Sequence, residues 1–190
     1  MSNRVQHGTI KCITGPMGAC KTTMLTLELK RARIAGLNIV SFNHGKGDRF
    51  EEEERGRMIV SHDKLSFEAE PIETLVGREI PPDGTVVGID EAQFIEGVKE
   101  WCVAAADAGC HVIVAFLSLD CFKQPWENIG DLPLHAEDTI KLCAVCHYCK
   151  SDKAAFTKRL GASTEKVVVG GLDQYRPVCR DCWANPDCNY

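Results

Sequence analysis

One short segment constrains the fold of this chain more than any other. Gly15-Pro16-Met17-Gly18-Ala19-Cys20-Lys21-Thr22 lies between a β-like run, Thr9–Thr14, and a helix expected over Thr22–Ala35. Leu25, Leu29 and Ala32 share one face of that helix, and Gly36 supplies its stop. A glycine-bearing turn closing on Lys-Thr between strand and helix is the context in which backbone N–H groups and a helix N-terminus cradle phosphates. Gly15, Pro16, Met17, Gly18, Ala19, Cys20, Lys21 and Thr22 are therefore the candidate phosphate site. Lys21 would supply the cation, and the Thr22 hydroxyl would ligate Mg²⁺. Cys20 stands where the usual pattern has a second glycine, a residue that tolerates unusual backbone angles and close phosphate approach.

The rest of the first half alternates strand and helix signals. Leu37–Phe42 reads as a strand, 43–64 as a long polar surface loop, and Glu51–Glu54 as a solvated acidic run. Pro81-Pro82-Asp83-Gly84 is a turn that launches Thr85–Ile89, an apolar run typical of a buried parallel strand. A helix is expected over Phe94–Ala108 and a further buried strand over His111–Leu117. This order implies crossovers and a doubly wound, mostly parallel α/β sheet. From about Lys141 the texture becomes Cys-rich, with short strands such as Lys166–Val169. That divides the chain into a nucleotide-binding domain over 1–140 and a small module over 141–190.

The strand over Thr85–Ile89 ends in two carboxylates, Asp90-Glu91. In phosphate-loop proteins an acid here faces the metal–nucleotide: Asp90 would hold Mg²⁺, leaving Glu91 free as a general base. Either could also cap the following helix.

The chain holds 11 cysteines in 190 residues and no apolar stretch of the secretory type at its start, so metal binding in a reducing, cytosolic setting is the better reading than a disulfide framework. Cys146-x-x-Cys149 and Cys179-x-x-Cys182, separated by the 29 residues 150–178, suit a closed tetrahedral structural Zn²⁺ site. Spacing alone leaves Cys143, His147 and Cys188 as alternatives. Cys12, Cys102 and Cys110 read as small core fillers. The net charge of −5 with no basic stripe argues against a nucleic-acid binder, and no apolar run approaches the ~20 residues that span a bilayer.

Taken together, Gly15-Pro16-Met17, Lys21-Thr22, Ile89-Asp90-Glu91-Ala92-Gln93-Phe94, 155–161, Gly170-Gly171-Leu172-Asp173-Gln174-Tyr175 and Val178-Cys179-Arg180-Asp181-Cys182 resemble the type II thymidine kinases, from Gly8 to about Trp183. The resemblance implies phosphorylation of the 5′-hydroxyl of thymidine, and usually deoxyuridine, by ATP and Mg²⁺, in a cytosolic homotetramer without nucleic-acid or membrane partners. It makes Glu91 the general base and places Asp48-Arg49 near the phosphates. Lys166, Val167, Val168, Val169, Gly170 and Tyr175 fall in a "lasso" loop that closes over the base. Met17, Gln93, Phe94, Leu117 and Trp126 would contribute to the nucleoside site. The base-contacting phenylalanine maps to Cys121 or, one residue on, to Phe122. The family pattern selects Cys146, Cys149, Cys179 and Cys182 as the zinc ligands. Rival readings are a nucleotide-binding regulator with a crippled loop, motivated by Cys20, and a kinase for a different nucleoside, motivated by Ser118–Trp126.

Overall fold

A computed structural model describes residues 7–44, 58–60, 65–161 and 174–185. In chain order its elements are β1 (Thr9–Gly15), α1 (Lys21–Ile34), β2 (Ile39–His44), β3 (Met58–Val60), β4 (Ser66–Glu68), β5 (Glu70–Ile72), β6 (Val86–Asp90), α2 (Val98–Asp107), β7 (His111–Leu117), β8 (Asp138–Lys141), β9 (Phe156–Arg159), β10 (Tyr175–Val178) and α3 (Arg180–Ala184). Two 3₁₀ turns, Ala92–Phe94 and Leu132–Leu134, flank the α2–β7 segment.

Six strands form one sheet in the order β5-β2-β6-β7-β1-β8, and every pairing in it is parallel. Parallel neighbours need crossovers, and the two longest helices supply them on opposite faces. Alternation along the strands sorts the side chains. Ile10, Cys12, Val87, Ile89, Val112, Val114 and Phe116 bury against Trp101, Cys102 and Ala105 of α2. Ile13, Val86 and Ala115 point the other way, onto Leu25 and Leu29 of α1. The doubly wound α/β reading is therefore what the chain adopts. Cys12, Cys102 and Cys110 are buried in the α2-side core as expected. Burial pushes the Cys12 thiol up to about 12 and raises that of Cys102 as well, so both remain neutral fillers.

Several boundaries differ from the sequence expectation. The segment expected as one helix from Phe94 to Ala108 is a 3₁₀ turn, an extended Ile95 (φ −94°, ψ 123°) and then α2. The break comes at Gly97, whose φ of 68° is left-handed and whose ideal Cβ would sit 2.7 Å from Val76 Cγ2. β2 starts and ends two residues later than the expected Leu37–Phe42, which moves Asn43 and His44 out of the expected loop. Met58–Val60, also expected as loop, pairs antiparallel with β4. The remainder of that loop, with Asp48, Arg49 and Glu51–Glu54, lies outside the described residues, as does Lys166–Gly170.

A third core belongs to the Cys-rich end. Ala144, Cys146, Ala154, Phe156, Val178, Cys179 and Cys182 bury together, and the phosphate-loop residue Ala19 joins them. Lys123 Nζ lies 4.3 Å from the ring centroids of both Phe156 and Trp183, and the Arg180 guanidinium lies 5.0 Å from that of Phe156, closing the outside of this cluster.

Candidate active site at the carboxyl ends of the strands

In open parallel sheets, ligands bind beyond the carboxyl ends of the strands. The register brings those ends together here. Gly15 of β1 lies opposite Leu117 of β7, and Asp90 of β6 lies opposite Asn43 of β2. Gly15–Thr22 and Asp90-Glu91, which the sequence marks for phosphate and magnesium chemistry, sit on this rim or in the loops just beyond it.

The phosphate loop leaves β1 at Gly15, whose ideal Cβ would meet the Leu142 carbonyl oxygen at 2.7 Å; only glycine fits that close approach. Lys21 is buried at the first position of α1, and its Nζ donates to the Pro16 carbonyl at 2.8 Å, spanning the loop from within. The Met17 N–H donates to Thr157 Oγ1 on β9 at 3.0 Å. With Ala19 in the Cys-rich core, the loop is fastened to the C-terminal module at two points. Cys20 takes φ 58°, ψ 28°, the left-handed conformation that the missing glycine would adopt freely, and its side chain is exposed. A non-glycine residue there costs roughly 1–2 kcal/mol. The chain bears that cost and keeps the loop shape.

Across the rim, Thr22 Oγ1 donates to Asp90 Oδ1 at 3.3 Å, so a hydroxyl and a carboxylate converge where a hard divalent cation would be held beside phosphates. Burial, then the neighbouring Glu91 carboxylate, pushes the Asp90 carboxyl up to about 7. A cation at this pair would restore its charge. The donor set thus fits Mg²⁺. Glu91 itself is left-handed (φ 51°, ψ 35°), a conformation that turns its side chain off the strand direction at the start of the 3₁₀ turn. Its Oε2 accepts a 2.7 Å hydrogen bond from Gln93 Nε2, while Gln93 Oε1 accepts from the Leu117 N–H at 3.0 Å. Because the Leu117 N–H can only donate, the amide orientation of Gln93 is fixed, with its NH₂ on Glu91. Gln93, expected among the nucleoside contacts, is buried and spends both ends of its side chain locking the Glu91 carboxylate to β7.

An aromatic wall adjoins these groups. The Phe94 ring meets Trp126 edge-on at 5.4 Å and His44 at the same distance, tilted 46°. Leu117 packs on the same core. Sequence reading did not pick out His44, because the expected strand ended at Phe42 and left His44 in a loop. Cys121 is half-buried, and Phe122 is 46 % exposed with the Arg159 guanidinium 5.3 Å from its ring. Both belong to a turn organised by Asp120, whose Oδ1 accepts the N–H groups of Phe122 and Gln124 at 2.8 Å each. Tyr175 is buried on β10, opposite Arg159 of β9.

The Sγ atoms of Cys146, Cys149, Cys179 and Cys182 all lie within 4.8 Å of one another, and Cys149 and Cys179 are 3.7 Å apart. A tetrahedron with Zn–S of about 2.3 Å needs sulfurs about 3.8 Å apart. Backbone N–H groups point at the sulfurs: Cys179 N–H at Cys146 (3.3 Å) and Cys182 N–H at Cys179 (3.5 Å). Burial pushes the Cys146 thiol up, yet the N–H groups of Cys179, Cys149 and Tyr148 outweigh it and leave the thiol lowered. Hydrogen bonds from the side chain and backbone of Ser151 draw Cys149 down to about 6. Thiolates so favoured, with four donors and no open position, fit structural zinc. The alternatives that spacing left open are resolved for Cys143, which is exposed and outside the cluster. Cys188 lies outside the described residues.

Among the described residues, no helix is long and apolar enough to cross a membrane. A profile of the thymidine kinase family matches residues 8–183. The thymidine kinase of variola virus is 38 % identical over 177 residues, which cover 93 % of this chain and 97 % of that protein. That of myxoma virus strain Uriarra is 40 % identical over 177 residues, covering 93 % and 96 %. That of vaccinia virus strain Western Reserve is 38 % identical over the same length, covering 93 % and 97 %. With a phosphate loop, an acidic strand end and a four-cysteine cluster all inside the matched span, the chain belongs to the thymidine kinase family.

Proposed function

We propose that this chain is a thymidine kinase that transfers the γ-phosphoryl group of ATP to the 5′-hydroxyl of thymidine, and of deoxyuridine, giving the 5′-monophosphate and ADP. The observation that carries the reading is the Glu91 carboxylate, held by Gln93 beside the Thr22–Asp90 pair on the rim that the phosphate loop also borders. Glu91 takes the proton as the 5′-oxygen attacks phosphorus and the bond to the ADP oxygen breaks. The loop amides and Lys21 hold the phosphates, with Asp48-Arg49 contributing from the loop after β2. Catalysis of this kind is chiefly positioning and electrostatics. Thr22 and Asp90 would hold Mg²⁺, which when bound neutralises charge on the donor phosphates. Phe94, Trp126, Leu117, Met17 and Tyr175, with Cys121 or Phe122, enclose the pyrimidine, and Lys166–Gly170 closes over it. Residues 1–140 carry the nucleotide and 141–190 the structural zinc and lasso, in a cytosolic homotetramer.

The deciding experiment is phosphoryl transfer from ATP to thymidine by the purified protein, beside Glu91→Gln, with zinc content measured on both. Turnover by the parent and its loss in the variant, with thymidine binding kept, is the expected result. Thymidine binding without turnover in the parent would make the chain a nucleotide-binding regulator instead. A substrate panel in which another nucleoside outruns thymidine would move the specificity assignment.

A further inference from the structure

The left-handed backbone at Glu91 needs something to hold it. Such a conformation relaxes unless the residues after it are fixed. Two short backbone bonds do part of this, from the Phe94 N–H to the Glu91 carbonyl and from the Ile95 N–H to the Ala92 carbonyl, both 3.1 Å. Gln93 adds its side-chain tie to β7. A fourth restraint comes from a residue 33 to 35 positions from its partners that no motif marks. Asn128 Nδ2 donates to the Gln93 carbonyl at 3.1 Å and to the Ile95 carbonyl at 3.0 Å. Two carbonyl acceptors admit only the NH₂ end of an amide, so its orientation is settled by chemistry. Asn128 follows Trp126, whose ring presses edge-on against Phe94. One segment therefore clamps both the ring and the backbone of the turn that begins at Glu91.

We propose that Asn128 is a positioning residue for phosphoryl transfer: by bridging the Gln93 and Ile95 carbonyls it holds the 91–95 turn, and through it the aim of the Glu91 carboxylate. The inference rests on the kinase reading above for its catalytic consequence, but not for the clamp. Asn128→Ala removes both donors. Asn128→Asp keeps the shape and sets a carboxylate against two carbonyl oxygens, so it should be the worse of the two.

Two measurements on the full chain test it. Hydrogen exchange should speed up about tenfold or more at the Phe94 and Ile95 amides, with the β6 amides and those of β7 before Leu117 unchanged, as expected for a local opening. In the thymidine assay kcat should fall about ten- to hundredfold, the scale on which sub-ångström misplacement acts, while the KM for ATP stays within about twofold. The melting midpoint of Asn128→Ala should fall by no more than about 10 °C, the scale of two part-buried hydrogen bonds. Unchanged exchange at Phe94 and Ile95 overturns the clamp. Faster exchange with kcat within about twofold of the parent overturns the positioning role. A kcat loss matched by a rise in ATP KM and a collapsed midpoint makes Asn128 merely structural. If the parent fails to phosphorylate thymidine, the kinase reading falls, and the exchange result alone still decides whether Asn128 holds the turn.

Discussion

Asp90→Asn offers a test of the site that needs no substrate. Asp90 is buried at the end of β6, and burial, followed by the Glu91 carboxylate, raises its carboxyl from 3.8 to about 7. In the unfolded chain the same group ionises near pH 3.9. A raised value in the folded state means the native protein holds a proton that the unfolded chain has lost. The associated stability is complete below the unfolded value and drains away as pH rises through the folded one, a window from about 4 to about 7. At about 1.4 kcal/mol per unit, the penalty for burying this carboxyl is about 1–2 kcal/mol at pH 5 and about 4 kcal/mol at pH 8. Asparagine does not titrate, so its own cost is the same at both pH values. The stability of Asp90→Asn relative to the parent should therefore improve by about 3 kcal/mol between pH 5 and pH 8. At 2–4 °C per kcal/mol for a chain of this size, the gap in melting midpoint should widen by about 6–12 °C. The assay is thermal unfolding of both proteins across that range, at fixed ionic strength, without nucleotide or Mg²⁺. Melting profiles that stay parallel from pH 5 to pH 8 would refute the reasoning, because they would show that Asp90 titrates in the folded state as it does in the unfolded chain.

Three other outcomes follow from the same geometry. Cys20→Gly relieves the left-handed strain at an exposed site, so the melting midpoint should rise by a few °C, worth about 1 kcal/mol, with a lower ATP KM or higher kcat; no change in the kinetic constants would show that the loop has adapted to cysteine. Cys179→Ser should abolish zinc retention, measured by elemental analysis, and lower the melting midpoint by about 10 °C or more, since a structural metal site contributes directly to folding. Because Ala19 and Met17 lean on that module, the same variant should weaken ATP binding more than a surface substitution does, and unaltered ATP affinity in the zinc-free protein would sever that link. Glu91→Gln should cut kcat by at least about a hundredfold, as loss of a general base does, with thymidine affinity retained in a direct titration.

What could be read beforehand was what is local in the chain. Gly15–Thr22, the apolar strand ending in Asp90-Glu91 and the two Cys-x-x-Cys pairs each carry their chemistry within a few residues, and each stands where the order of strands and helices requires. What could not be read depends on partners far away. The helix expected from Phe94 breaks at an extended Ile95 and a left-handed Gly97, with Val76 packed where a Gly97 side chain would stand. Gln93 is a lock on Glu91 only because Leu117 presents an N–H from another strand. Asn128 has no local signature at all; its role exists only once its segment folds back over the 91–95 turn. β8, four residues that are mostly exposed, shows no apolar period and pairs because β1 leaves an edge for it.

The fastening of Met17 to Thr157 and of Ala19 to the four-cysteine core has a consequence for how the protein is made. The phosphate loop emerges from a ribosome well before the surfaces that seat it, which lie between residues 144 and 182. A nascent chain must carry an unsupported loop through most of its synthesis, and the donor site is finished by the last cysteine pair. An interrupted translation product ending before Cys179 could pair β7 with both β6 and β1, yet it would lack Cys179 and Cys182, half of the four-cysteine cluster against which Ala19 packs. Long sequence separation of this kind slows folding, because loop closure precedes the contacts that reward it. On the proposed zinc reading, metal supply during synthesis would set when the loop gains its seat.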